Sequence, residues 1–146
     1  MIKFNSEFEK NPEDSVGLFF IKAYNKWHRL IKKELEKLNI THPQYVVLAS
    51  LNYLLSVNDE VKQVDISKHA DIDVVTLSEM LKLLEKKKLI NREYSKTDSR
   101  SKIVTITKNG LDTTATATSI VEKIDREYFG KLSEERITFL ILLKKL

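Results

Sequence analysis

Between Leu89 and Thr107 the spacing of apolar residues changes from the helical period of 3.6 to the strand period of 2, then changes back. Leu89-Ile90-Asn91-Arg92-Glu93-Tyr94 and Ile103-Val104-Thr105-Ile106-Thr107 are short, β-branched or aromatic, and alternate in polarity, as half-buried strands do. Ser95 to Lys102 separates them, eight residues without one apolar side chain. The pattern predicts a β-hairpin with a long polar tip. The rest of the chain carries helical periodicity, which confines the fold to a mainly α class with one small β-hairpin.

Asp14 or Ser15 can cap a first helix running to about Leu38, with Val16, Phe20, Ala23, Tyr24, Trp27, Ile31, Leu35 and Leu38 along one stripe. Leu18, Phe19 and Leu30 widen that stripe, so the helix needs neighbours on more than one side. The preceding residues 1–13, with Phe4 and Phe8, form a loosely docked arm. Thr41-His42-Pro43-Gln44 is a capping box with proline in the first turn, opening a helix to about Val57. Gln63 to His69 is a short helix that turns Val64 and Ile66 inward. After a break at Ala70-Asp71-Ile72, Asp73 caps a helix from Val74 to about Lys87 with Leu77, Met80, Leu81 and Leu84 inward. Two helices joined by so short a turn are a helix-turn-helix unit. Beyond the hairpin, Thr107 caps a helix from Lys108 to Phe129 whose apolar side is Leu111, Ala115, Thr118, Val121, Ile124 and Tyr128. Gly130 ends it, and Ser133 starts a last helix to Leu146.

Composition narrows the function. A chain of 146 residues buries enough apolar surface to fold without a disulfide or a metal. With no cysteine, a disulfide framework, a thiolate metal site and a thiol nucleophile are excluded. No apolar run approaches the ~18 residues of a membrane span, and the first residues lack a signal-peptide core, so a cytoplasmic location is expected. The net charge is only +4, yet Lys86, Lys87, Lys88, Arg92, Lys96, Arg100, Lys102 and Lys108 face only Glu93 and Asp98 within one segment. A basic stretch on a nearly neutral chain is the footprint of a polyanion partner; the plainer alternative is a solvated surface.

A helix-turn-helix followed at once by a hairpin is a winged helix. Helices on both sides of it imply a second layer, and Phe139-Leu140-Ile141-Leu142-Leu143 is too apolar to face water, which points to a partner subunit. Gln63-Val64-Asp65-Ile66-Ser67-Lys68, Asp73 with the helix Thr76 to Leu84, Leu84-Glu85-Lys86-Lys87-Lys88-Leu89-Ile90, and Asp98-Ser99-Arg100-Ser101-Lys102 followed by Ile106-Thr107-Lys108-Asn109-Gly110 resemble the MarR family of bacterial regulators. The resemblance spans roughly Leu38 to Phe129. It implies a single domain over 1–146, with dimerisation helices at about 14–38 and 108–146 around a winged-helix core at about 39–107. It further implies a homodimeric transcription factor, usually a repressor of nearby genes, often released by a small phenolic or lipophilic ligand. One residue departs from the pattern: Lys88 stands where the family usually has the glycine that ends the recognition helix. The lack of cysteine sets the chain apart from the branch that senses peroxide through a thiol.

A recognition helix in the major groove would present Val74, Val75, Thr76, Ser78, Glu79 and Lys82. Val75 suits a thymine methyl, Thr76 and Ser78 a base or phosphate, Glu79 a cytosine amino group, and Lys82 a guanine or phosphate. Arg100, in the polar tip, suits a narrow minor groove, with Asp98 orienting it and tying the loop down. Lys96 and Lys102 are expected on phosphates, as are Gln63, Ser67 and Lys68 on the preceding helix. Tyr24, Trp27, His28, His42 and Tyr45 converge at the seam between the two layers, where they suit an aromatic small-molecule effector or simply pack as core. His28, His42 and His69 lack metal-ligand spacing, and no catalytic motif is present, so neither a metal, a cofactor nor an enzyme is expected. A winged helix can also dock proteins without DNA. Residues 95–102 carry no apolar anchor for that role and three positive charges against one negative.

Overall fold

The computed structural model describes Ser6, residues 11–96, Asp98 and residues 100–146, with the backbone alone of Pro12. Most of the expected N-terminal arm, Phe4 and Phe8 included, and Thr97 and Ser99 between the strands lie outside the described residues. Among the described residues six α-helices and one hairpin follow in order: α1 (Val16–Leu35), α2 (His42–Val57), α3 (Gln63–Ala70), α4 (Val74–Lys86), β1 (Ile90–Tyr94), β2 (Lys102–Ile106), α5 (Lys108–Phe129) and α6 (Arg136–Leu143).

The caps explain most of these boundaries. Ser15 accepts from Leu18 N, and Thr41 and Gln44 form the reciprocal box that starts α2. Asp73 Oδ1 accepts from Thr76 N at the head of α4, and Thr107 Oγ1 from Gly110 N at the head of α5. Each satisfies a backbone donor that the first helical turn leaves open. The strands pair antiparallel with Ile90 opposite Ile106, Arg92 opposite Val104 and Tyr94 opposite Lys102. Val61 adds to this hairpin by accepting from Val104 N. One buried cluster joins Ile31 and Leu35 of α1 to Val47, Leu48 and Leu51 of α2. It continues through Ile66, Leu77, Leu81 and Leu84 to Ile90, Val104, Ala117 and Val121.

Three expectations are corrected. Val64 points out of the core at 43% exposure, and only Ile66 of that pair is buried. On α5 the expected Val121 is buried and Ile124 packs on the core, but Leu111 and Ala115 are exposed, and the buried edge runs instead through Gly110, Thr114 and Ala117. Glycine is needed at 110 because α5 starts close against the backbone after α4, and Thr114 hides its hydroxyl by donating to the Gly110 carbonyl at 2.7 Å. Ser133 does not cap the last helix: it sits at φ 49°, inside the kinked turn Gly130–Glu135, and α6 starts at Arg136 without a side-chain cap.

Lys88 takes the left-handed conformation itself, at φ 58°. Leu89 N donates to Leu84 O, and Lys88 N to Glu85 O, the bond pair of a Schellman ending. A side chain in this region costs about 1–2 kcal/mol, against ~0.5–1 kcal/mol of extra unfolded-state entropy for glycine. Lys88→Gly is therefore expected to stabilise the fold by about 0.5–1 kcal/mol, a rise of roughly 2–3 °C in Tm by calorimetry. An unchanged or lower Tm would show that the turn is not strained.

Candidate nucleic-acid interface

The turn between α3 and α4 is held from inside. Ser67 is buried, and its hydroxyl donates to Ile72 O at 2.6 Å. That commits Ser67 to closing the helix-turn-helix and removes it from the expected phosphate contacts. Ile72 N returns a bond to Ser67 O, and Asp71 takes the left-handed turn that an aspartate tolerates. Lys68, one residue on, is exposed.

This turn presents the first residues of α4 outward. Val74 is 55% and Val75 76% exposed. Thr76, Glu79 and Lys82 are exposed and Ser78 half-buried, while Leu77, Leu81 and Leu84 anchor the opposite side. Glu79 and Lys82 pair at 2.5 Å, so each presents a partly neutralised group. The Asp73 carboxyl lies below its ordinary range because Thr76 donates to it.

The wing stands beside this face. Asp98 Oδ1 accepts from Arg100 N at 3.1 Å and Oδ2 from Ser101 Oγ at 2.6 Å, while Asp98 O accepts from Ser101 N. Those donors, the Ser101 hydroxyl foremost, hold its carboxyl below the usual carboxylate range. Asp98 thus fixes the backbone that carries Arg100, and the Arg100 side chain is exposed with Lys96. Lys102 lies with its ammonium 5.4 Å from the Tyr94 ring centre.

Between wing and helices lies a cleft of about 310 Å³ lined by Lys62, Gln63, Val64, Val74, Arg100, Ser101 and Lys102. Gln63, Arg100 and Lys102 were expected in one interface and are brought together here. Lys62 was not singled out from the sequence. Its backbone bridges to Ile103, and its N–H donates to Asp65 Oδ2 at 2.8 Å, which presents the start of α3 to the wing root. Two members of the basic segment are turned to structural work instead. Arg92 grips Glu85 at 2.6 and 3.1 Å, tying β1 to the end of α4 and holding the Glu85 carboxyl low. Lys87 Nζ donates to Asn39 O and Gln44 Oε1.

At the seam, the five expected residues form a run of rings. Tyr24 stacks on His28 at 5.3 Å, His28 lies 5.3 Å from His42, and His42 stacks on Tyr45 at 6.3 Å. Trp27 meets His42 edge-on, and its Nε1 donates to Asp125 Oδ1 at 2.8 Å. Tyr24 and Trp27 also line an apolar cavity of about 240 Å³ with Phe20, Ala23, Tyr128, Phe129, Phe139 and Leu143. His28, His42 and Tyr45 do not line it. Among the described residues no group of three or more His, Asp or Glu is placed to hold a metal ion.

Burial, then the neighbouring His28, push His42 below its ordinary value of 6.5, against an opposing pull from Asp125. A depressed folded value means the unfolded chain binds the proton first, so stability is complete above about pH 6.5 and is lost as pH falls through the folded value. Urea unfolding at pH 7.5 and 5.5 is expected to show this loss, and His42→Gln to flatten it. An equal loss in the variant would place the effect elsewhere.

No helix among the described residues is long and apolar enough to cross a membrane. The MarR family model matches residues 40–102. YdcH of Bacillus subtilis, an uncharacterized HTH-type transcriptional regulator, is 30% identical over 129 residues, covering 88% of this chain and 87% of its own. Bordetella bronchiseptica BpsR, solved in a study of how 6-hydroxynicotinic acid regulates its DNA binding, superposes with a TM-score of 0.82. It is 26% identical, over 92% of this chain and 94% of its own. The Staphylococcus aureus MepR–DNA complex gives 0.79 at 26% identity, over 92% and 95%.

Proposed function

The chain belongs to the MarR family, and from that premise we propose that it is a homodimeric, sequence-specific DNA-binding repressor of nearby genes. The observation that carries this reading is the shared face of α4 and the wing: exposed Val75, Thr76 and Lys82 beside a cleft edged by Lys62, Arg100 and Lys102. A helix of this kind fits the major groove, and an exposed arginine on a fixed turn fits the adjacent minor groove. The MepR complex with DNA supports the same use of the fold. Two copies joined through their terminal helices would set the recognition helices about one DNA turn, ~34 Å, apart on a pseudo-palindromic operator.

An aromatic or lipophilic effector at the α1–α5–α6 cavity would relieve repression by changing that spacing. The apolar lining, the rings beside it and the 6-hydroxynicotinic acid response of BpsR support this class of ligand. A ligand preferring the mis-spaced state by ~3 kcal/mol would weaken operator binding on the order of 100-fold.

The test is a salt series of fluorescence-anisotropy titrations on DNA from upstream of the protein's own gene, against random duplex. Binding at least ~10³-fold tighter than the control is expected. Arg100→Ala should weaken it and lower the salt slope by about two, one phosphate equivalent per half-site. Equal binding to both duplexes removes sequence specificity, and an unchanged slope removes Arg100 from the site.

A further inference from the structure

The outward face of α4 is poor in the groups that usually read bases. Val74–Lys86 contains no arginine, asparagine or glutamine, the side chains that make paired hydrogen bonds to guanine or adenine. Two of its charged outward residues, Glu79 and Lys82, are bonded to each other. Ser78 is half-buried. The first turn presents an apolar side chain outward: Val75 is 76% exposed. Among the described residues it is left open, although its neighbour Val74 edges the wing cleft. Cations surround this patch, with Lys62, Arg100 and Lys102 in the cleft and Lys68 exposed on α3, so the surface that would cover Val75 is a polyanion and not an apolar protein. The one apolar group that duplex DNA displays in its major groove is the thymine 5-methyl.

We propose that Val75 is the principal sequence-discriminating residue of this protein, and that it reads a thymine methyl in each operator half-site. The inference rests on the DNA reading above and narrows it: the operator carries an obligatory thymine under the N-terminus of α4, recognised by apolar contact. Glu79 and Lys82, by pairing, set the height of the helix in the groove and discriminate less.

The experiment begins with in vitro selection of sites from random duplexes by the full-length protein. Each thymine of the selected site is then replaced by deoxyuridine, which removes the methyl and keeps every hydrogen-bonding group. One position per half-site is expected to lose about 4-fold in affinity, and both together roughly 15-fold, the worth of one and two buried methyls. In Val75→Ser the ratio of thymine to deoxyuridine affinity should fall to about 1 at those positions; the site is exposed, and serine is well accepted in a first helical turn. Circular dichroism checks that the variant is folded. A selected site that tolerates deoxyuridine throughout, or a sensitivity that persists in Val75→Ser, overturns this inference while leaving the DNA reading intact. Failure to enrich any site overturns both.

Discussion

Gly110→Ala is expected to destabilise the fold by about 2–3 kcal/mol net and to lower Tm by roughly 6–10 °C. A Cβ at Gly110 would lie 2.0 Å from the Leu89 carbonyl oxygen and 2.8 Å from Ile106 Cγ1. The first of these is backbone, fixed by bonds from Thr107 N and Thr107 Oγ1. Relief therefore requires moving either α5 or the turn that ends α4. Helix propensity works the other way, favouring alanine by ~0.5–1 kcal/mol, but overpacking against backbone costs ~3 kcal/mol or more and decides the sign. Gly17 is the control, because a Cβ there meets nothing within 4 Å. Gly17→Ala should leave stability unchanged or raise it by up to ~1 kcal/mol. Equal Tm values for the two alanine variants would show that α5 does not pack as closely on Leu89 as described. The contact also couples the two layers: Leu89 joins α4 to β1, so at Gly110 the long helix α5 touches the winged-helix unit.

That contact shows why part of the fold was legible in the sequence and part was not. Capping boxes, the turn at Asp71 and the alternation of the two strands are local patterns, and each falls within a residue or two of its expected place. The buried edge of α5 is not local. Hydrophobicity picks out Leu111 and Ala115, whereas the approach of the Leu89 backbone selects glycine at 110, and Thr114 and Ala117 follow it along the same edge. The threonine-rich stretch 113–118 then makes sense, since Thr114 and Thr116 return their hydroxyls to carbonyls four residues earlier. Charge counting had the same limit. It picked out the basic segment, but could not tell that Arg92 and Lys87 hold the molecule together while Lys62, outside the segment, joins the cleft. Ring clustering at the seam was legible from spacing; which rings face the cavity depends on how α6 returns over α1, and nothing in the sequence sets that.

Replacing Ile137 and Ile141 by aspartate is expected to separate the proposed dimer and to weaken operator binding by about 10³-fold or more. Both residues lie on α6, four apart, and are 66% and 52% exposed. Among the described residues no side chain of α6 is buried, although its sequence is Arg136-Ile-Thr-Phe-Leu-Ile-Leu-Leu143. Phe19, Phe20 and Ile21 of α1 are exposed by about half as well. An apolar surface of this kind on a charged protein marks an interaction site, and the proposed second copy would cover it. Two buried carboxylates per chain would oppose the first, since an unpaired charge in an apolar interface is strongly unfavourable. The effect on DNA follows from tethering. Once one half-site is bound, the second recognition helix acts at an effective concentration of order millimolar, and separate chains lose that advantage. Light scattering should report one chain per particle, and circular dichroism a folded winged-helix core, because neither isoleucine belongs to the buried cluster. Binding to a duplex with a single half-site should survive, one chain per duplex and with its salt dependence retained. A variant that still scatters as a dimer and binds the full operator normally would remove α6 from the interface. A variant that is monomeric yet binds the full operator undiminished would show instead that each winged helix reads DNA alone, without the spacing on which control by an effector depends.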